Sequence, residues 1–184
     1  MSDYTKGERD QLKNIALRLV RLRDFLISAN LEQDKDTTQW FECLAQVKAI
    51  QGNGDNDVSF IACLMAKDYL TTQFDIDGFD VAAKAQGAAG LDIDLLSSDG
   101  KHIIGEVKTT VPYSGARNDL GAQQKESFKK DFAKLNAMPA DYKFFFVTDK
   151  LTFEVVRRRY ASQIPTVSVI LLTTANTNGE QLKS

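Results

Sequence analysis

Apolar residues follow helical spacing in the first third of the chain and change to strand spacing after it. Five side chains step by three and four residues at the start, which predicts a helix from Lys6 to about Ala29: Leu12, Ile15, Leu19, Leu22 and Leu26. This stripe covers little more than two heptads, so it fits packing on the protein's own core as well as pairing with a second chain. A second helix is predicted over 38–50, and a third over 57–70 with Asp57 as its N-cap.

The remaining pattern predicts strands that alternate with helices. The predicted strands lie within 74–85 and at 91–96, 101–110, 142–148 and 166–173, and the helices at 120–135 and 151–160. Such an order is typical of an α/β fold with a central mixed sheet of four to five strands flanked by helices. We expect an N-terminal helical extension over 1–50, a core over 51–175 and a flexible tail over 176–184.

The composition indicates a globular protein with an uneven charge distribution. The chain has 184 residues, of which 43% are hydrophobic and 26% charged, and its longest apolar runs are too short to span a bilayer. We therefore expect a cytoplasmic protein with no membrane partner. The first hundred residues carry 10 basic and 17 acidic side chains, whereas residues 101–160 carry 12 basic and 7 acidic ones. This second segment is compatible with a local phosphate-binding face.

The most informative stretch is "GLDIDLLSSDGKHIIGEVKTT" at 90–110, in which two predicted strands meet at an Asp-Gly turn. Residues two apart in a strand lie on the same face, so Asp92 and Asp94 share one face of the first strand, and Glu106 and Lys108 share one face of the second. The hairpin places these two faces together, and we expect the other face to be filled by apolar side chains: Ile93, Leu95, Ile104 and Val107. The alternative is a solvated strand face with a cross-strand ion pair. Clustered carboxylates on a buried strand favour a Mg²⁺ site instead.

The "GLDIDLL" and "IIGEVKTT" segments, with the predicted element order from Asp57 to Thr173, resemble the PD-(D/E)xK nuclease superfamily. This superfamily includes many type II restriction endonucleases and Holliday junction resolvases. The resemblance covers about two thirds of the chain and implies a restriction-endonuclease-like core. No Pro-Asp pair is present, since Leu91 and Ile93 precede the two aspartates. The first metal ligand therefore stays open between Asp94, which its "IDLL" context favours, and Asp92.

The resemblance also implies the roles of the site residues. Asp94 or Asp92, Glu106 and the backbone carbonyl of Val107 would hold one or two Mg²⁺ ions, for which Mn²⁺ can substitute. Lys108 would orient or help to deprotonate the attacking water. Gln124, at the start of the following helix, is a further catalytic candidate that would hold water or phosphate. A polar residue that binds backbone at a helix start is the alternative for this glutamine.

These features together predict a Mg²⁺-dependent endodeoxyribonuclease, foremost a restriction endonuclease that cuts double-stranded DNA as a homodimer. No nucleotide cofactor is expected. Candidate DNA contacts in the loop and helix after the motif are Tyr113, Arg117, Asn118 and Lys125. A repair or Holliday-junction-type nuclease with the same chemistry is one alternative. A non-catalytic DNA-binding module on the same fold is another, although it has little reason to keep a repulsive acidic cluster.

Overall fold

The structure, a computed structural model, describes residues 3–31, 33–84, 88–112 and 119–172. It divides into two compact units, of which one comprises Asp3–Val58 and the other begins at Ser59. The boundary lies later than residue 50, where the sequence analysis ended the helical extension. The predicted tail at 176–184 lies outside the described residues.

The first unit is helical, as predicted. Helix α1 spans Lys6–Ser28 and helix α2 spans Thr37–Gln51. Both helices begin with a capping box, in which an N-cap side chain and the side chain three residues later each accept a backbone N–H: Thr5 with Glu8, and Asp36 with Gln39.

Helix α3 spans Gly54–Gln73 and therefore starts before the predicted N-cap. The prediction for Asp57 was wrong, because this residue lies inside the helix. Its carboxylate accepts two hydrogen bonds of 2.5 Å from the Arg18 guanidinium of α1. An acidic residue near the start of a helix can cap the helix, interact favourably with the helix dipole, or bind a cation that is distant in the sequence. The sequence alone does not distinguish these roles.

The second unit contains a four-stranded mixed sheet, in agreement with the predicted α/β class. Its strands are β1 at Ile93–Leu96, β2 at His102–Lys108, β3 at Tyr142–Val147 and β4 at Ser168–Leu171, in the spatial order β1-β2-β3-β4. β1 and β2 form an antiparallel hairpin, whereas β2, β3 and β4 are parallel. Helix α4, at Ala122–Ala137, connects β2 to β3, and helix α5, at Lys150–Arg159, connects β3 to β4.

The strand predicted within 74–85 was wrong for the residues that the structure describes there. Residues 74–84 form bends, irregular backbone and a short 3-10 helix at Val81–Ala83. Gly78 adopts a φ of +72°, and the Asp80 carboxylate accepts the Ala82 N–H at 2.9 Å. This local turn chemistry prevails over the weak apolar alternation of the segment.

Apolar side chains fill both faces of the sheet. On one face α4 and α5 pack on the strands through Phe128, Phe132, Leu135, Phe153, Val155, Val156, Phe145 and Val147. On the other face Ala66 and Leu70 of α3 pack with Ile93, Phe144, Phe146 and Ile170. Two successive parallel crossovers in one direction place their helices on the same face, because such connections are right-handed.

The alternation along β2 corrects one expectation about the hairpin. Ile104 packs in the cluster of α4 and α5, and therefore on the same face as Glu106 and Lys108. Ile103 and Val107 belong to the α3 face, where Gly105 leaves room for neighbouring side chains. A Cβ atom at Gly105 would lie 3.3 Å from the Ile93 Cδ1 atom, so the glycine permits the close packing of β1 on β2.

Candidate metal and phosphate site

The turn between β1 and β2 fixes which acidic residues meet across the hairpin. Ser97 N–H donates to the Lys101 carbonyl at 2.9 Å, and Gly100 takes the positive φ of +80° that the turn requires. The resulting register pairs Ile93 with Gly105 and Asp94 with Ile104. The same register places Asp92, one residue before β1, opposite Glu106 of β2 and on the same face of the hairpin.

Asp94 lies away from Glu106 and binds the single histidine of the chain. His102 Nε2 is 2.8 Å from Asp94 Oδ1, and His102 Nδ1 is 3.1 Å from the Pro139 carbonyl. The hydrogen bond that Asp94 accepts from the imidazole is the largest cause that raises the pKa of His102; burial opposes it, and the contact with the Pro139 carbonyl adds to the elevation. Asp94 is thus hydrogen-bonded to His102 at the turn end of the hairpin, and the aspartate that the sequence favoured does not meet Glu106.

Asp92 is the aspartate that the structure brings to Glu106. Its Oδ2 atom accepts the Val107 N–H at 2.9 Å, which fixes the carboxylate at the open edge beyond the start of β1. The N–H and C=O groups of one strand residue point to the same side of the strand, so the Val107 carbonyl is directed to this edge as well. The position suits the predicted ligand role of Val107, which remains a prediction.

Glu106 carries the strongest electrostatic perturbation of the hairpin. Its side chain is only 3% exposed, and its Oε1 atom accepts a hydrogen bond of 2.9 Å from Lys134 Nζ of α4. Burial, followed by the charge of Asp92, raises the pKa of Glu106 to about 7, although the hydrogen bond from Lys134 acts in the opposite direction. The protonated and ionised forms of this carboxyl group are therefore both populated near neutral pH.

Lys108 extends from the end of β2 to helix α4. Its Nζ atom lies 2.6 Å from Asp131 Oδ2 and 3.2 Å from Ser127 Oγ. Asp131 Oδ1 is in turn 3.4 Å from Lys134 Nζ, so two lysines and three carboxylates form one connected group. We call this group the charge network: Asp92, Glu106, Lys108, Asp131 and Lys134.

Sequence reasoning missed the two members of the charge network on α4. Asp131 and Lys134 follow Ser127 at intervals of four and three residues, which places all three on one stripe of the helix. That stripe lies next to the apolar stripe of Phe128 and Phe132. This spacing was the only feature of the sequence that could have pointed to Asp131 and Lys134 as site residues. A polar boundary of an amphipathic helix normally faces water, whereas Asp131 is 6% exposed here.

Gln124 does not join the charge network through any contact that the described residues show. Its Oε1 atom accepts the Gly121 N–H at 2.8 Å, and its Nε2 atom donates to the Val111 carbonyl at 2.9 Å. These are the backbone contacts of a polar residue at a helix start, the alternative that the sequence allows for this glutamine. Its catalytic role remains a prediction.

Among the candidate DNA contacts, only Lys125 lies within the described part of the chain, and Tyr113, Arg117 and Asn118 lie outside it. Lys125 Nζ is 2.8 Å from Asp119 Oδ2, which also lies 2.9 Å from Arg159 Nη1. This basic pair at the α4 and α5 surface shares one carboxylate, so it retains a net positive charge.

The donor set of the charge network suits a hard cation bound by few protein ligands. Within the described ranges, no group of three or more histidine, cysteine, aspartate or glutamate side chains is arranged to hold a metal ion. Mg²⁺ needs only one or two carboxylates because it keeps several waters, and Asp92 with Glu106 supply such a pair. Burial, with the charge of Asp92, raises the pKa of Cys63 to about 12, so the nearby thiol stays protonated and the available donors are oxygens.

Comparisons with known proteins assign this chain to no family: no family model, no curated protein and no solved structure matches it. The chain is an α/β protein with a four-stranded mixed sheet, and at one edge of the sheet the charge network surrounds the buried carboxylates of Glu106 and Asp131. Across the residues that the structure describes, no helix is both long and apolar enough to cross a membrane.

Proposed function

We propose that this chain is a Mg²⁺-dependent endodeoxyribonuclease of the PD-(D/E)xK type that hydrolyses DNA phosphodiester bonds, foremost as a restriction enzyme. The observation that carries the proposal is the meeting of Asp92 with Glu106 across the hairpin, with Lys108 on the same face of β2. The three side chains lie where β2 ends beside the parallel strand β3. Crevices beyond the carboxyl ends of parallel strands are the usual ligand sites of α/β sheets.

The proposed role of the carboxylates is to hold the metal against a phosphate of the DNA backbone. Asp92 is already oriented by the Val107 N–H, and Glu106 is fixed by burial. When bound, Mg²⁺ supplies Lewis acidity at the phosphoryl oxygen and lowers the pKa of the attacking water. Both carboxylates must be ionised to bind it, so ionisation of Glu106 sets a lower pH limit for binding.

Lys108 is proposed to offset negative charge on the phosphate. Its side chain is 19% exposed, and its ammonium group lies between Asp131 and Ser127, so it is a fixed cation rather than a mobile surface lysine. A preorganised cation at the position where charge develops is an effective way to stabilise a transition state. Basic side chains on α4 and α5, among them Lys125 and Arg159, support binding of the DNA backbone.

A non-catalytic DNA-binding module is the second candidate, and one observation favours it. Lys134 and Asp131 already pair with Glu106 and Lys108, as they would in a group that only stabilises the fold. A repair or junction-cleaving nuclease shares the proposed chemistry and differs in its DNA target.

The test combines cleavage with matched variants. Purified protein is incubated with supercoiled, linear and four-way-junction DNA in Mg²⁺ or in EDTA, and the cut ends are sequenced. We expect Mg²⁺-dependent cleavage that falls at least about a hundredfold in Asp92→Asn and Glu106→Gln, because each removes a metal ligand. Asp94→Asn is the matched control and should retain cleavage, since its carboxylate binds His102 instead.

The possible results separate the candidates. Absence of cleavage by the wild-type protein on all three DNA forms, with retained DNA binding, would favour the non-catalytic module. Cleavage restricted to junctions would favour the repair enzyme. Undiminished cleavage by either Asp92→Asn or Glu106→Gln would contradict the proposed site, provided that circular dichroism shows both variants to be folded.

A further inference from the structure

The ammonium group of Lys134 lies among oxygen atoms from three parts of the second unit. Its Nζ atom is 2.9 Å from Glu106 Oε1, 3.4 Å from Asp131 Oδ1 and 3.5 Å from the Gly90 carbonyl oxygen. Two carboxylates and a backbone carbonyl are also the kinds of ligand that a divalent cation takes from a protein. The folded chain therefore places a cation of its own beside the carboxylate proposed to bind metal.

A buried glutamate beside a second acidic residue needs a nearby cation whenever the glutamate is ionised. Glu106 is almost fully buried and contacts Asp92, so the two negative charges destabilise each other unless a positive charge is close. Lys134 meets this need without metal. It cannot do so once Mg²⁺ binds Glu106, because an ammonium group and a divalent ion at the same oxygen atom repel each other.

We infer that the Lys134 ammonium holds the cation position at Glu106 before metal binds and that Mg²⁺ displaces it. The inference rests on the proposed function, since it assigns a competitor to the proposed metal site. It makes Lys134 a positioning residue that keeps Glu106 in place in the metal-free protein and weakens the affinity for metal.

The two lysines of the charge network differ in how easily they can move. Lys134 has a side chain that is 44% exposed, and it extends from the surface of α4, so its ammonium group can turn to water. Lys108 is less exposed and lies 2.6 Å from Asp131, which retains this partner when Lys134 leaves. Displacement of Lys134 consequently leaves no carboxylate of the network without a cation.

The experiment measures metal binding directly. Isothermal titration calorimetry with MgCl₂ at pH 8.5 compares the wild-type protein with Lys134→Met, which removes the charge and keeps the length of the side chain. Lys134→Gln is a second neutral variant whose amide can still donate to Glu106, and Lys134→Arg keeps the charge. Lys129→Met is the matched control, because Lys129 loses the same charge from the same helix while paired with exposed Glu126.

The inference predicts about tenfold tighter Mg²⁺ binding by both neutral variants, which corresponds to about 1.4 kcal/mol. Lys134→Arg and Lys129→Met should bind as the wild-type protein does. Unchanged or weaker binding by the neutral variants, in a protein whose wild type binds Mg²⁺ and whose Asp92→Asn variant does not, would overturn the inference alone. Absence of Mg²⁺ binding in the wild type and in all Lys134 variants would overturn the inference together with the proposed metal site.

Discussion

Replacing Glu106 by glutamine tests the charge balance of the site with almost no change of shape. Burial and the charge of Asp92 raise the pKa of this carboxyl group from its ordinary value of 4.5 to about 7. Between these two pH values the folded protein keeps the proton that the unfolded chain has lost. Protonated Glu106 therefore stabilises the fold fully below pH 4.5, and this stability is lost as the pH rises through 7.

The size of the effect follows from the difference between the two pKa values. A difference of about 2.5 pH units corresponds to roughly 3 kcal/mol in the free energy of unfolding, which is a large share of the stability of a small domain. Glutamine resembles the protonated side chain and cannot ionise. We expect Glu106→Gln to be more stable than the wild-type protein by up to roughly 3 kcal/mol at pH 8.5, and the difference to vanish near pH 4.5.

The assay is urea unfolding followed by circular dichroism at pH 4.5, 6.5 and 8.5, with EDTA present to keep metal away. Glu126→Gln is the control, because Glu126 lies on the exposed side of α4 and its pKa is lowered by Lys129. This variant should gain no stability at high pH. Equal stability of the wild-type protein and Glu106→Gln at pH 8.5 would refute the reasoning that Glu106 is a buried, destabilising charge.

Three further outcomes are expected. Asp94→Asn should move the pKa of His102 back towards 6.5, because Asp94 makes the largest contribution to its elevation. The imidazole protons of this single histidine report the change by NMR, and an unaltered titration would argue against the contact between Asp94 and His102. Lys108→Met should lower the free energy of unfolding in urea by about 2 kcal/mol, since it leaves buried Asp131 beside one cation instead of two. Adding Asp131→Asn in the same chain should recover part of this loss. If the two substitutions instead destabilised the protein by strictly additive amounts, the energetic coupling of Lys108 and Asp131 would be contradicted. The homodimer predicted from the helical stripe should give about twice the chain mass of 20.5 kDa in light scattering, and Leu19→Asp should reduce it to the monomer; a monomeric wild-type protein at micromolar concentration would count against that prediction.

The sequence predicted those elements whose patterns leave few alternatives. The run "YKFFFV" forms β3, because a short apolar run between turn signals fits a strand covered on both faces. The predicted helix at 120–135 appears as Ala122–Ala137, since its apolar side chains recur at helical spacing against the sheet. Local periodicity therefore defined most elements of the second unit and placed helices on both faces of the sheet.

Local periodicity failed where the outcome depends on packing between elements. The polar stripe of α4 looks like a solvated helix face in the sequence, and only the packing of α4 on β2 brings Asp131 to Lys108 and Lys134 to Glu106. Asp57 has the same ambiguity, because its partner Arg18 lies on another helix, 39 residues away in the chain. Long-range ion pairs leave no periodic signal, so the lysine and the aspartate that complete the network were not identifiable from the chain alone.

The choice between the two aspartates shows how a turn decides the composition of a site. Asp92 and Asp94 share a face, so alternation along β1 cannot separate them, and the sequence context favoured Asp94. The separation comes from the turn, in which Ser97 bonds to Lys101 and Gly100 adopts a positive φ. That closure pairs Ile93 with Gly105, which brings Asp92 to Glu106; a shift of two residues would bring Asp94 there instead. The assignment of the first proposed metal ligand therefore depends on the geometry of a turn that itself lies outside the charge network.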